Sequence, residues 1–216
     1  MKHSLTEEEK NHLESRVGET ESKIGVQIVL ALIGRCDAYP EIPWKAFALG
    51  CSVASIFALN MSMVNFFDSA AKAVLLACVM VLSAGAGLAL LSILAPDFAR
   101  LFLQKSRAAE ETKQYAQCFF LSREMIAAAN RRSVLILVGL FERQIVVLPD
   151  AGLAGEITDE AVKKITLAMR PLLRSGQTAK ALEAGLETLA DCVSPPPNAC
   201  PRAHALPDAV IEEKGV

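Results

Sequence analysis

The 216 residues have a net charge of −2, and this near neutrality excludes an extended basic surface for nucleic-acid binding. A hydrophobic content of 52% beside 21% charged residues indicates that strongly apolar and strongly polar segments alternate along the chain. The six cysteines are scattered without a CxxC pair, and together with three isolated histidines they offer no zinc-ligand spacing.

The N-terminal segment predicts a helix followed by a buried strand. Thr6 and Glu9 have the spacing of a capping box, which starts a helix that runs to about Lys23. Residues 24–33 are rich in Ile, Val and Leu without sustained alternation, a pattern typical of a strand covered on both faces. The first residues are too acidic and polar for a signal peptide, so we expect none.

Two long apolar segments predict a transmembrane hairpin. Lys45 is the only charged residue in 44–67, and 73–95 contains none, so each segment reaches the roughly 20 residues that cross the hydrocarbon core. A pair of buried core helices is the alternative, but two such helices would overwhelm a domain of this size. The short connector, 68–72, places both outer ends of the hairpin on one side of the membrane.

The basic residues around the hairpin predict its orientation. The connector has only Lys72. Five basic residues flank the outer ends of the hairpin: Arg35, Lys45, Arg100, Lys105 and Arg107. Because cytoplasmic flanks carry the excess of Lys and Arg, we expect a multi-pass protein of the inner or plasma membrane with both termini in the cytoplasm.

Small residues recur at four-residue spacing on both segments, including Gly50 on the first and Gly85 on the second. Such stripes let helix backbones approach closely in lipid. Packing within the hairpin fits this pattern, and so does self-association or contact with another membrane protein. No ionisable residue lies deep in either segment, so an ion pathway lacks its usual signature.

The chain after the hairpin predicts a second α/β part, which opens with an interrupted helical segment. The strands 134–140 and 144–148 are separated by only three residues and should form an antiparallel hairpin. Two helices follow, capped by Thr158 and Thr178. The proline-rich residues 194–216 predict a disordered tail.

These elements predict one α/β domain that is split by the hairpin. Its first part is 1–43 and its second part is 96–193, with the hairpin at 44–95 between them and the tail after them. The soluble parts would then close on each other at the membrane surface.

Several of these segments resemble the TPM domain family. They are LTEEE, KIGVQIVLAL, SVLILVGLFERQIVVLPDAGL, ITDEAV and LLRSGQTAKALEAGLETLAD, within 5–33 and 132–191. A hairpin inside the domain resembles the bacterial membrane-protein branch of that family. The resemblance implies a three-layer α/β/α fold interrupted by a two-helix transmembrane hairpin. Family members usually hold the domain outside the cytoplasm behind a signal peptide, a pattern from which this N-terminus departs.

Acidic residues near the ends of the predicted strands are the site candidates. Asp37 follows the first strand and Asp150 the last, and Glu156 and Asp159 come soon after, so these four could bind a divalent cation, calcium or magnesium. Ordinary turn chemistry explains Asp150 equally well, and ordinary helix capping explains Asp159. Arg143 matches the basic residue that the family has between the two strands, and it could bind an anion or be a solvated hairpin residue.

The sequence has no P-loop, GxSxG, HExxH or Cys/His pair, so no catalytic residue is assigned. We therefore predict a membrane-anchored cytoplasmic domain that acts as a binding or regulatory module. Its partners would be the lipid bilayer and another membrane protein or a second copy of the chain. One alternative is a metal-dependent phosphatase, which the resemblance implies because the family includes members with acid phosphatase activity. The other is a small oligomeric channel or transporter subunit.

Overall fold

The computed structural model describes residues 5–63, 69–123, 131–193 and 209–215. The chain divides into two compact units, one formed by residues 1–37 and 109–216 and the other by residues 38–108. The first unit is thus assembled from both sides of an insertion, and each unit is described separately below.

The first unit begins with helix α1 (Glu7–Ile24) and strand β1 (Gln27–Arg35). The predicted capping box is present, since the Thr6 hydroxyl accepts from the Glu9 amide at 3.3 Å and the Glu9 carboxylate accepts from the Thr6 amide at 2.9 Å. Gly25 ends the helix in the left-handed region, with φ 63°, where glycine has little steric cost. The predicted strand start at residue 24 is therefore three residues early.

The sheet has the strand order β3-β2-β1-β4. Strand β2 (Ser133–Gly139) is parallel to β1, and β3 (Gln144–Pro149) is antiparallel to β2, which confirms the predicted strand hairpin. Strand β4 (Val210–Gly215) is parallel to β1 on its other side.

Strand β4 corrects the prediction that residues 194–216 form a disordered tail. That prediction is wrong for 210–215, while 194–208 and 216 lie outside the described residues. The proline-rich composition hides a strand of only six residues, three of them charged. Pairing with β1 and the burial of Val210 hold this segment in place, and both depend on residues about 180 positions earlier in the chain.

Side chains of β1 and β2 alternate between two hydrophobic cores. One face of the sheet packs against α1, α6 (Asp159–Arg174) and α7 (Thr178–Cys192). The other face packs against α5 (Lys105–Ser122), through side chains that include Ala116, Phe119 and Phe120. The three-layer α/β/α fold is therefore confirmed.

The two C-terminal helices begin differently. The Thr158 hydroxyl accepts from the Ala161 amide at 3.4 Å and caps α6, as predicted. Helix α7 has Gln177 at its N-cap and Thr178 as its first helical residue, so the prediction that Thr178 caps this helix is wrong. Thr178 is buried, and the side chain of the N-cap residue Gln177 makes no cap hydrogen bond.

The second unit contains α2 (Glu41–Met63) and α3 (Ala70–Leu94), then α4 (Pro96–Ala99) and a 3-10 turn (Arg100–Phe102). Within the described residues, α2 and α3 are long and apolar enough to cross a membrane. Only 6% of the most apolar part of α3 is buried inside the protein. A core helix of a soluble domain would hide these side chains, and α3 does not.

Helices α2 and α3 approach each other closely at Gly50 and Gly85. A Cβ atom added at Gly50 would lie 2.7 Å from the carbonyl oxygen of Ala84 and 2.9 Å from the Cα of Gly85. A Cβ atom at Gly85 would lie 2.5 Å from the Sγ of Cys51. The glycines of the predicted small-residue stripes therefore serve packing within the hairpin.

Candidate functional site

The two strand-end aspartates lie at opposite ends of the sheet. Asp37 follows the carboxyl end of β1, which the register aligns with Gly139 at the end of β2. Asp150 follows β3, whose last residue pairs with Val134 at the start of β2. The step from Val134 to Gly139 spans about 17 Å of strand. The prediction that Asp37 and Asp150 share one site is wrong, because β3 is antiparallel to β2 and so ends at the opposite end of the sheet.

Asp150 has a structural environment. Its side chain is buried and accepts two hydrogen bonds from Arg131, at 2.7 Å from Nη2 and 3.2 Å from Nε. It also accepts from the Ala151 amide at 2.6 Å and so caps the 3-10 turn Ala151–Leu153. The guanidinium of Arg131 therefore supplies the positive charge that the prediction assigned to a metal ion.

The other two predicted metal ligands are also explained by local contacts. Glu156 forms an ion pair with Arg132, with Oε1 2.5 Å from Nη1. Asp159 is the exposed first residue of α6, where the helix dipole favours a negative charge. Across residues 5–63, 69–123, 131–193 and 209–215, no group of three or more His, Cys, Asp or Glu side chains is placed to hold a metal ion. The predicted four-carboxylate metal site is not assembled.

Arg143 lies in the turn between β2 and β3, at the same end of the sheet as Asp37. Its backbone is left-handed, with φ 54°, so it stands at a tight point of the turn. The structure thus brings Asp37 and Arg143 to one end of the sheet. The other three predicted residues, Asp150, Glu156 and Asp159, lie elsewhere.

The same end of the sheet holds a group of residues that the sequence did not reveal, here called the strand-end cluster: Cys36, Thr112, Gly139 and Glu142. Glu142 is 6% exposed, and its Oε1 accepts from the Cys36 amide at 2.9 Å. Its Oε2 is buried and has no hydrogen-bond partner in the part of the chain that the structure describes. A Cβ atom on Gly139 would lie 2.9 Å from this oxygen, so glycine provides the space that the carboxylate occupies.

The Cys36 thiol of the strand-end cluster is protonated. Burial raises its pKa to about 12, and the neighbouring Glu142 carboxylate adds to the shift, while a hydrogen bond with Thr112 opposes it. Because only the thiolate is a good nucleophile, Cys36 is unsuited to nucleophilic catalysis near neutral pH. The cluster therefore holds a buried carboxylate beside an unreactive thiol, an arrangement that does not suit covalent chemistry.

Sequence reasoning missed Glu142 because it was counted only as one of three residues that separate two strands. A signal was nevertheless present. The predicted strand pair places Glu142 in the turn after β2, and the parallel pairing of β1 with β2 brings that turn to the end of the sheet where Cys36 and Asp37 lie.

A second polar group connects α5 to β4. Glu213 accepts a hydrogen bond from the Tyr115 hydroxyl at 3.2 Å and pairs with Arg123 Nη2 at 2.8 Å. Burial and then the Glu213 charge raise the pKa of Tyr115, so its phenol stays protonated and donates. This group was missed because β4 was predicted to be disordered.

Comparisons with known proteins agree with the fold. The family model described as the TPM domain matches residues 99–192, which confirms the predicted resemblance over this segment. The NMR structure of the BA42 protein from the psychrophilic bacterium Bizionia argentinensis is similar to this chain, with a TM-score of 0.53 and 12% sequence identity over 99% of this chain and 98% of BA42. At that identity the likeness concerns the fold alone. None of the curated proteins matches the chain.

Proposed function

Because residues 99–192 carry a TPM domain, we propose that this protein is a membrane-anchored TPM domain that acts as a binding or regulatory module. The observation that supports the anchor is the exposure of large apolar side chains along α2 and α3. Val53 on α2 is 59% exposed, and Leu82 on α3 is 61% exposed. Contiguous apolar surface of this extent needs a cover, and helices of this length match the thickness of a bilayer.

We further propose that the outer ends of the hairpin face the cytoplasm, in the inner or plasma membrane. Two basic side chains at these ends make contacts within the second unit: Lys45 donates to the Phe102 carbonyl at 3.3 Å, and Arg107 pairs with Glu41 at 3.0 Å. Basic residues concentrated at these ends match the positive-inside rule.

A binding role is supported by how the acidic groups are used. Asp150 and Glu156 are both occupied by arginines, and the Cys36 thiol is held in its protonated form. Phosphate hydrolysis requires a metal ion or an activated nucleophile to stabilise the developing negative charge. These groups are engaged in folding contacts, which leaves recognition as the role that the domain fits best.

A metal-dependent phosphatase is the second candidate. The observation that favours it is the buried Oε2 of Glu142, at the same edge of the sheet as Asp37. Calcium or magnesium would be the cation, because both prefer carboxylate oxygens.

Turnover of a generic phosphomonoester by the purified full chain, with magnesium, calcium or manganese, distinguishes the two candidates. The variants are Asp37→Ala and Glu142→Gln, and Asp159→Ala is the control because it removes an exposed carboxylate outside the strand-end cluster. A binding module gives the same background rate in all four proteins. Metal-dependent turnover that either variant loses and the control keeps would overturn the proposal in favour of the phosphatase.

A further inference from the structure

Strand β4 pairs through its backbone with the edge of β1 from Leu30 to Arg35. The register pairs Leu30 with Val210 and Arg35 with Gly215, and the Leu30 amide donates to the Ala209 carbonyl at 2.8 Å. Main-chain hydrogen bonds of this kind are how a sheet edge binds an extended peptide. The edge therefore binds an extended segment through main-chain hydrogen bonds, which do not depend on the side chains of that segment.

Side chains of β4 contact the cores on the two faces of the sheet alternately. Val210 enters the core that α1, α6 and α7 form, and Ile211 packs against the core on the α5 side. Glu213 points to the same side as Ile211, since strand side chains alternate. There it meets Tyr115 and Arg123, as described above.

Tyr115 and Arg123 present preformed hydrogen-bond donors to this acidic side chain. Tyr115 and Phe119 are four residues apart on one face of α5. Arg123 lies one residue past the end of α5, and its amide donates to the Phe119 carbonyl at 3.1 Å, so its side chain continues that face. The rings of Tyr115 and Phe119 are stacked with centroids 6.5 Å apart, and the Arg123 guanidinium lies 5.4 Å from the Phe119 centroid. Stacking fixes Arg123, which lowers the entropy lost when a carboxylate binds it.

Two glycines allow the backbones of β1 and β4 to approach each other closely. A Cβ atom on Gly34 of β1 would lie 2.7 Å from the carbonyl oxygen of Lys214. Gly215 has a left-handed backbone, with φ 76°, and a Cβ atom there would overlap the carbonyl oxygen of Arg35. The edge therefore selects a segment with two aliphatic residues, an acidic residue at the fourth position and glycine at the sixth.

We propose that this edge of β1, together with the Tyr115–Phe119–Arg123 face of α5, is a binding site for an extended acidic segment of a partner protein, which β4 occupies in cis. The inference rests on the proposed binding role, because it names the class of partner. Only Val210 of β4 is fully buried, and the remaining positions are partly or wholly exposed. Because β4 buries so few side chains, a matching segment of a partner displaces it. Displacement occurs when the concentration of that segment exceeds the effective concentration of the covalently tethered β4, which is on the order of millimolar.

Fluorescence anisotropy of a labelled peptide, AVIEEKGV, tests the proposal with the full chain in detergent. Glu213→Lys removes the contacts with Tyr115 and Arg123 and weakens β4 in cis, so the peptide should bind this variant about tenfold more tightly than the unmodified chain. A second substitution, Gly34→Val, in the same variant closes the edge and should abolish that binding. The proposal is overturned if the peptide fails to bind Glu213→Lys, or binds equally well after Gly34→Val is added.

If Glu213→Lys does not fold, as shown by the lack of a cooperative thermal transition, reversing the charge of Arg123 provides a second test. Arg123→Glu should bind the peptide in which lysine replaces the residue equivalent to Glu213, and should lose the original peptide. Equal binding of both peptides would contradict a role for Arg123.

Size-exclusion chromatography of the unmodified chain tests the alternative occupant. A monomer unaffected by peptide is expected, whereas a dimer that the peptide dissociates would assign the edge to a second copy and overturn the partner claim. Membrane retention and phosphomonoester turnover are measured on the same preparation, so failure of the proposed function is distinguished from failure of this inference.

Discussion

Replacing Asp150 separates a structural carboxylate from a metal ligand. The Asp150→Ala substitution removes three acceptor contacts, two with Arg131 and one with the Ala151 amide. The side chain of Arg131 is 53% exposed and regains water, so part of the ion-pair energy is returned. We expect a loss of about 2 kcal/mol, which is the scale for hydrogen bonds to a buried charged group. The melting temperature should fall by about 4–8 °C.

Thermal denaturation followed by circular dichroism in detergent measures this loss. Asp159→Ala is the matched control, because it removes an exposed carboxylate from the first turn of α6 and should cost only about 0.5 kcal/mol. Equal melting temperatures for the two variants would refute the structural role of Asp150. A calcium- or magnesium-dependent rise in melting temperature that Asp150→Ala abolishes would refute it as well.

Three further predictions concern the hairpin, the strand-end cluster and the topology. Gly85→Leu should lower the melting temperature in detergent because a side chain there meets Cys51. Gly87→Leu should not, since no neighbouring atom among the described residues lies within 4 Å of a Cβ atom at Gly87. Similar effects of both substitutions would contradict the close approach of α2 and α3. Maleimide at pH 8, read by peptide mass spectrometry, should modify the exposed Cys118 and spare Cys36, whose pKa of about 12 leaves only about one thiolate in ten thousand; rapid loss of the Cys36 thiol would contradict its burial. In intact cells an impermeant thiol reagent should label Ser69→Cys between the two helices, and labelling only after lysis would reverse the proposed topology.

Local sequence signals predicted the local structure. Thr6 with Glu9, and the short separation of β2 from β3, each involve neighbours in sequence, and both features are present, although four residues rather than the predicted three separate the two strands. The apolar runs likewise predicted α2 and α3, because length and composition are sufficient to define such helices. Features of this kind need no knowledge of distant contacts.

Features that depend on distant pairing were not predicted. Strand β4 is short and polar, and it forms a strand because it pairs with the edge of β1 that β2 leaves uncovered. The burial of Glu142 similarly depends on Cys36, more than a hundred residues away. The predicted antiparallel pair already placed the end of β3 beside the start of β2, but the position of Asp37 depends on the parallel pairing of β1 with β2, which the sequence did not specify.

Membrane extraction tests the central claim, that α2 and α3 anchor the domain. Alkaline carbonate treatment should leave the full chain in the membrane pellet. Val53→Arg combined with Leu82→Arg should move it to the soluble fraction, since each arginine near a helix centre costs about 2.5–3.5 kcal/mol of insertion energy. The control is Leu167→Arg, which changes an equally exposed leucine on α6 and should stay in the pellet. Release of the unmodified chain by carbonate, or full retention of the double variant, would contradict the anchor.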